Sequence, residues 1–228
     1  MTEARIIEIS EPGGPEVLVP ARRSVSGPGP GELQLAVEAC GVNRPDVMQR
    51  QGRYRPPPGA SDIPGLEAAG EVLAVGEGVP TTLIGQKLTA LCPGGGYASH
   101  VTLPWQHALP WPAGFTAVQA AALPETFFTV YGNMVFRGRL KAGERVLIHG
   151  GSSGIGTTAI QKARALGAAQ IIVTVRTPEK AEACLALGAD HALLYPDVAW
   201  EDEVLALTDG AGVDVILDMV AGPYVARD

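Results

Sequence analysis

The sequence lacks the residue patterns that form disulfide frameworks or bind metal ions. Its three cysteines, Cys40, Cys92 and Cys184, are far apart and odd in number, which argues against a set of disulfide bonds. There is no C-x-x-C motif, and no two of the four histidines have the spacing of metal ligands. We therefore expect no bound metal, and we interpret the cysteines as small buried apolar residues.

Long apolar runs and an excess of positive charge are missing as well. No apolar stretch approaches the ~20 residues that cross a bilayer, and the N-terminus lacks the apolar core of a signal peptide. The formal net charge of −7 disfavours binding to nucleic acid or to anionic membranes. Apolar residues make up 46% of the chain, which is enough for a well-buried core. We expect a cytoplasmic protein whose partner is a small molecule.

The chain contains two regions of different pattern, and a run of helical character interrupted by Pro124 lies between them. In the first region, short apolar stretches between Gly and Pro predict strands of an all-β, barrel-like unit at Arg5–Ile9, Leu33–Ala39, Gly70–Val75 and Lys87–Leu91. In the second, strands alternate with helices, and the predicted strands are Arg145–His149, Gln170–Val175, His191–Tyr195 and Val213–Met219. This alternation is typical of parallel βαβ units. The predicted domains are residues 1–124 and 125–228.

A glycine-rich turn follows the first strand of the second region. Residues 149–158 read HGGSSGIGTT and lead into a predicted helix, which is the context of a dinucleotide-binding turn. Glycines allow a sharp turn and a close approach of the backbone to a pyrophosphate at the positive helix N-terminus. The residues that we expect to bind the cofactor here are Gly151, Ser152, Ser153, Gly154, Ile155 and Gly156. A tight turn without a ligand is the alternative interpretation.

The end of the next strand indicates which dinucleotide binds. An NAD site usually places Asp or Glu there, to bind the ribose 2′-hydroxyl. Here Arg176 follows Val175, and Lys180 lies one helical turn further on. Two cations favour the 2′-phosphate of NADPH through charge-assisted hydrogen bonds, although ordinary solvated surface cations would look the same in the sequence.

Several segments resemble one known family in sequence and in order. They are residues 41–46 (GVNRPD), 52–61 (GRYRPPPGAS), 63–70 (IPGLEAAG), 123–126 (LPET) and the glycine turn. The chain is similar to the quinone oxidoreductase, or zeta-crystallin-like, branch of the medium-chain dehydrogenase/reductase family. The resemblance implies a GroES-like β domain, then a Rossmann domain, and reduction of quinones by NADPH. It also implies that zinc is absent, because Asn43, Leu66 and Glu125 stand where zinc-dependent relatives have their ligands.

The same resemblance suggests roles for five further residues. Asn43 and Tyr54 correspond to residues near the substrate, and Asp46 joins them as a catalytic candidate. Asn43 and Asp46 have an alternative role as the cap of a helix over Asp46–Gln51. Thr129 corresponds to a residue at the nicotinamide end of the cofactor, and Tyr195 to one near the adenosine phosphate. Packing roles are the alternative for Thr129 and Tyr195.

Other functions remain open from the sequence. An activated alkene such as an enone could accept hydride in the same geometry as a quinone. The Rossmann sheet has six strands, of which the sequence predicts four, so we expect the chain to be part of a longer polypeptide. The resemblance implies a homodimer for the complete chain. A chain that is naturally this short would instead be an NADPH-binding protein without turnover.

Overall fold

The structure is a computed structural model that describes residues 2–195 and 199–228. The chain divides into two compact units, Met1–Glu125 and Thr126–Asp228. The division lies one residue after the end of the first predicted domain. Across the part of the chain that the structure describes, we find no helix with the length and apolar character to cross a membrane.

The first unit consists mainly of antiparallel β-structure. Its strands are β1 (Thr2–Ile9), β2 (Leu18–Val25), β3 (Glu32–Cys40), β4 (Glu67–Val75), β5 (Lys87–Leu91), β6 (His100–Pro104) and β7 (Ala108–Pro110). Strands β1 and β2 pair with each other, and the remaining strands form a sheet in the order β6-β3-β4-β5-β7. Two short helices, α1 (Arg44–Arg50) and α2 (Ala117–Ala121), follow β3 and β7. Leu33, Leu35 and Leu103 are fully buried in the core of the larger sheet.

Strand β2 is the largest element of this unit that the sequence analysis missed. Pro20, Arg22 and Arg23 break the apolar pattern on which the strand predictions relied. The strand forms nevertheless, because it pairs in register with β1 along its whole length. Arg23 also forms ion pairs with Glu8 and Asp62, at 2.9 and 2.8 Å. Long-range pairing therefore overrides a weak local pattern here.

The second unit contains the parallel sheet. A helix, α3 (Pro124–Val130), spans the division between the units and continues as a π-helical segment, Tyr131–Arg137. The later elements are β8 (Arg145–His149), α4 (Gly154–Ala165), β9 (Gln170–Val175), α5 (Pro178–Ala186), β10 (His191–Leu194), α6 (Trp200–Leu207) and β11 (Val215–Leu217). All strand pairs are parallel, in the order β10-β9-β8-β11. This is the 3-2-1-4 part of a Rossmann sheet, so the predicted fold class is confirmed.

The prediction was accurate where strands are buried on both sides. Strands β8 and β9 have the predicted bounds, and the side chains of Val146, Leu147 and Ile148 are almost completely inaccessible. Helix α5 begins at Pro178, and Thr177 occupies its cap position, although the Thr177 side chain makes no cap hydrogen bond. Strand β11 is shorter than the predicted Val213–Met219.

Candidate functional site

The first group of functional candidates lies at the start of α1. Asn43 has an extended backbone conformation and precedes the helix. Its backbone N–H donates to Asp46 Oδ2 over 2.8 Å, which is one half of the predicted capping arrangement. Asp46 Oδ1 accepts from the N–H of Gly65 at 3.1 Å, and the Tyr97 hydroxyl donates to Oδ2 at 3.2 Å. Asp46 is only 4% exposed, so its main role is to tie the helix start to the loop before β4.

The side chain of Asn43 is held by a residue that the sequence analysis did not select. Asn43 Nδ2 donates to Glu67 Oε1 over 2.8 Å, and Glu67 Oε2 accepts from the backbone N–H of Glu125 at 2.9 Å. Glu67 is 3% exposed. Gly41 makes room for it, because a Cβ there would overlap Oε1 and lie 2.7 Å from Cγ. The available signal was an acidic residue at the start of a strand, directly before the small apolar residues Ala68 and Ala69.

Asp46, Glu67 and Glu125 form a carboxyl cluster in which Asp46 and Glu67 are buried and Glu125 is half-buried. Burial raises the pKa of all three carboxyl groups, and their mutual repulsion raises those of Glu67 and Glu125 further. Burial also raises the pKa of the Tyr97 hydroxyl, which keeps it a donor. No Lys or Arg forms an ion pair with these carboxyl groups within residues 2–195 and 199–228. The carboxyl groups of Asp46 and Glu67 are therefore held by N–H and O–H donors.

Two other residues of this unit differ in their surroundings from Asn43. Tyr54 lies half-buried in the loop after α1, and no hydrogen bond joins its side chain to Asn43 or Asp46 among the described residues.

Cys40, at the end of β3, is exposed, so the interpretation of all three cysteines as buried was wrong for this one. Cys92 and Cys184 are buried as expected. Cys40 is the last residue of β3 and lies beyond the part of this strand that pairs with β6.

In the second unit, the glycine turn connects β8 to α4. Gly150 has φ +69°, a left-handed conformation that glycine adopts without strain. Ser153 caps the helix, and its Oγ accepts from the N–H of Gly156 at 3.0 Å. A Cβ on Gly156 would lie 2.5 Å from the carbonyl oxygens of Gly150 and Gly151. The close packing of the strand–helix junction therefore leaves no room for a side chain at position 156.

The outer side of this turn can receive a phosphate group. A Cβ on Gly154 would meet only Thr126 Cγ2, at 3.5 Å, so the backbone is open to close approach. Helix α4 is twelve residues long, and its first N–H groups have no intrahelical acceptors. Ser152 is half-buried, whereas the side chain of Ile155 packs against the hydrophobic core of this unit, so only the Ile155 backbone is offered to a ligand. These features fit the pyrophosphate of a dinucleotide.

The remaining cofactor candidates lie at the carboxyl ends of neighbouring strands. Arg176 follows β9 and Tyr195 follows β10, and the backbone N–H of Tyr195 donates to the Val175 carbonyl at 3.2 Å. Because the strands are parallel, these residues share one sheet edge with the glycine turn after β8. Arg176 and Lys180 are exposed, and neither forms an ion pair within the described ranges. The end of β9 therefore carries positive charge at the position where an NAD site has Asp or Glu.

Thr129 lies half-buried on α3. Its carbonyl accepts from Asn133 Nδ2 at 2.9 Å, an ordinary contact within a helix. In the portion of the chain that the structure describes, no hydrogen bond joins Thr129 to the glycine turn. Its proposed contact with the cofactor thus has no direct support in the packing around it.

Comparisons with known proteins place this geometry in a family. A family model described as "Alcohol dehydrogenase GroES-like domain" matches residues 29–113, and one described as "Zinc-binding dehydrogenase" matches residues 154–228. The crystal structure of a quinone oxidoreductase from Pseudomonas syringae pv. tomato DC3000 is 34% identical, with a TM-score of 0.85 over 98% of this chain and 69% of that one. The CurK enoyl reductase is 29% identical, with a TM-score of 0.88 and the same coverage.

One curated relative is similar to nearly the whole of this chain in sequence. A mycocerosic acid synthase-like polyketide synthase of Mycobacterium tuberculosis is 35% identical over 216 residues, which are 95% of this chain and 10% of that protein. The chain therefore spans about a tenth of this relative. The chain thus combines a GroES-like unit with a Rossmann sheet that carries an open glycine turn, an architecture typical of oxidoreductases with nicotinamide cofactors. The chain belongs to the medium-chain dehydrogenase/reductase family.

Despite the wording of the second family description, the residues do not fit a zinc ion. At the expected ligand positions the chain has the amide Asn43, the alkyl side chain of Leu66 and the single carboxyl of Glu125. Asn43 directs its Nδ2 to Glu67, and Glu125 is one of three mutually repelling carboxyl groups. Among the described residues no group of three potential ligands could hold a metal ion.

Proposed function

We propose that this protein is an NADPH-dependent reductase that transfers hydride to a quinone. The observation that carries the cofactor assignment is the exposed pair Arg176 and Lys180 at the sheet edge that holds the glycine turn. The acceptor is supported by the 34% identity to a quinone oxidoreductase over nearly the whole chain. The proposal concerns the complete protein, because this chain covers 69% of that relative.

NADPH is favoured over NADH by the charges at the end of β9. A guanidinium at position 176 can form paired hydrogen bonds with a 2′-phosphate, and the Lys180 ammonium adds a second positive charge. No Asp or Glu stands at the end of this strand to accept hydrogen bonds from a ribose 2′-hydroxyl. The turn Gly151–Gly156 would hold the pyrophosphate, and Tyr195 and Thr129 would border the adenosine phosphate and the nicotinamide.

The reaction requires little from the protein besides orientation and charge stabilisation. When bound, the reduced nicotinamide supplies a hydride. The chain must stabilise the negative charge that develops on the acceptor oxygen, and the candidate donors are Asn43 and the Tyr54 hydroxyl. Asp46 contributes indirectly, because it fixes the helix start that carries Asn43. We assign no dedicated general acid, and solvent would supply the proton.

A second candidate acceptor is an activated alkene, such as an enone or enoyl thioester. The similarity to the CurK enoyl reductase and to a polyketide synthase favours it. Hydride addition to the β-carbon of such a substrate also places negative charge on a carbonyl oxygen, so the same donors would serve. The two acceptors differ in shape and length.

The test is NADPH oxidation by the purified protein with an ortho-quinone, a simple enone and an enoyl thioester in parallel. We expect quinone turnover with NADPH and much less with NADH. If the protein reduces only the alkenes, the activated alkene replaces the quinone as the proposed acceptor. Tight NADPH binding without oxidation by any acceptor would overturn the reductase proposal and leave a binding protein. A homodimer, measurable by sedimentation, and a cytoplasmic location are also proposed from the family resemblance and the sequence.

A further inference from the structure

Glu67 is an unusual residue for a structural core. Its carboxyl group is almost completely buried, yet its two hydrogen bonds come from neutral donors, the Asn43 amide and the Glu125 backbone N–H. Within residues 2–195 and 199–228 no cation compensates it. Burying a carboxylate in this way is unfavourable, and an apolar side chain would stabilise the fold more. A function other than stability therefore accounts better for this carboxyl.

The contact with Glu67 determines which way the Asn43 amide faces. A carboxylate only accepts hydrogen bonds, so the Asn43 group that faces it must be Nδ2. The backbone N–H of Asp46 donates to the Asn43 backbone carbonyl at 3.1 Å, and the Asn43 side chain makes no cap hydrogen bond, so among the described residues the contact with Glu67 is what orients the amide. Asn43 is half-buried, so the second N–H of Nδ2 remains within reach of a ligand.

We propose that Glu67 is a positioning residue that fixes the orientation of the Asn43 carboxamide and so determines where its second N–H meets the substrate. The inference rests on the proposed reductase function, which gives the orientation of the Asn43 carboxamide its purpose. The orientation of the Asn43 amide itself can be tested in the protein without cofactor or acceptor. Glu67 itself touches no reacting atom.

The variant Glu67→Gln reverses this orientation with almost no change in shape. The Glu125 N–H is fixed in the backbone and must meet an acceptor, so the new carboxamide has to present its oxygen to it. Its nitrogen then faces Asn43, where only Oδ1 can accept. The Asn43 amide must turn over, and Oδ1 and Nδ2 exchange places. Because the buried charge is lost at the same time, the variant should remain folded.

The orientation can be measured by NMR on the ¹⁵N-labelled protein. We expect one Asn43 side-chain proton to be shifted downfield by its bond to the Glu67 carboxylate, and this shift to disappear in Glu67→Gln. The shorter Glu67→Asp keeps a carboxylate, so it should keep the sense of the shift. Unchanged Asn43 side-chain resonances in Glu67→Gln would overturn the proposal. The exposed Glu71→Gln on the same strand removes the same charge and should leave the resonances in place.

Kinetics provide a second measurement. With the acceptor that the protein reduces, Glu67→Gln should lower kcat about 10–100-fold, because the donor is misplaced, and leave the KM for NADPH unchanged. Parent-like kcat in this variant would contradict the positioning role even if the amide turns. If the parent reduces no acceptor but the Asn43 resonances respond as expected, the reductase proposal fails and the orientation by Glu67 stands.

Discussion

Asn43 and Glu67 are 24 residues apart in the chain, yet Asn43 Nδ2 donates to Glu67 Oε1 over 2.8 Å. The contact follows from the antiparallel register of β3 and β4, in which Cys40 pairs with Ala68. The Gly41 N–H continues this pairing to the Glu67 carbonyl, at 3.4 Å. The chain then turns into α1, which brings Asn43 over the Glu67 carboxyl. The strand pairing therefore places the polar site at one end of the sheet.

The buried Glu67 should make stability depend on pH. Burial raises its pKa in the folded state, so between the ordinary and the raised pKa the folded protein binds more protons than the unfolded chain. The free energy of unfolding therefore falls as pH rises through this interval, which begins at pH ~4. The side-chain amide of the Glu67→Gln variant does not titrate. Urea unfolding at a series of pH values should show this variant gaining stability over the parent as pH increases.

The same urea unfolding series on the Glu71→Gln variant is the control. It separates the effect of removing a buried carboxyl from the effect of removing a negative charge. Glu71 is exposed on the same strand, so its variant should track the parent at every pH. A difference between Glu67→Gln and the parent that is constant with pH would contradict the raised pKa of Glu67.

Replacing Arg176 and Lys180 together with Ala should change cofactor preference. Each lost charge-assisted bond to the 2′-phosphate should weaken NADPH binding by about 1.5–3 kcal/mol, and NADH binding should hardly change. Calorimetric titration with both cofactors measures this. The matched control is Arg139→Ala with Lys141→Ala, which removes two exposed cations before β8, at the opposite end of that strand. Equal losses for NADPH and NADH would refute the phosphate assignment.

Tyr54 variants distinguish a stacking ring from a hydrogen-bonding hydroxyl. Tyr54→Phe keeps the aromatic face and should retain most activity if the ring stacks on the quinone. If the hydroxyl donates to the quinone oxygen, kcat/KM should fall about 10–100-fold. Tyr54→Ala should impair quinone reduction in both cases and spare NADPH affinity. Parent-like kinetics in Tyr54→Ala would exclude Tyr54 from the acceptor site.

Two glycines of the turn should separate packing from cofactor binding. Gly156→Ala places a methyl group 2.5 Å from two carbonyl oxygens and should destabilise the protein by about 1–3 kcal/mol. Gly154→Ala faces open space and should stabilise it by about 0.4–1 kcal/mol, but weaken NADPH binding by blocking the pyrophosphate. Thermal unfolding with and without NADPH measures both effects. A Gly154→Ala variant that binds NADPH normally would place the phosphates elsewhere.

The sequence predicts those parts of this fold that local pattern determines. The glycine turn and the bounds of β8 and β9 are visible because a continuous apolar run and a run of glycines are unambiguous. Strand β2 is not, since its pairing with β1 rather than its composition makes it a strand. Glu67 was missed for a similar reason. Its partners at positions 43 and 125 are distant in the chain, and no periodicity marks a buried carboxyl that two N–H groups hold.

Gly41 restricts how this site can vary among related sequences. A Cβ at position 41 would occupy the space of the Glu67 side chain from Cγ to Oε1. Gly41 does not have a left-handed φ, so a methyl group there would strain no backbone angle and would only push Glu67 aside. An alanine at 41 thus requires a shorter acid in place of Glu67, or the loss of the acid altogether. The two positions should covary, and a glycine here marks relatives that keep the Asn–Glu pair.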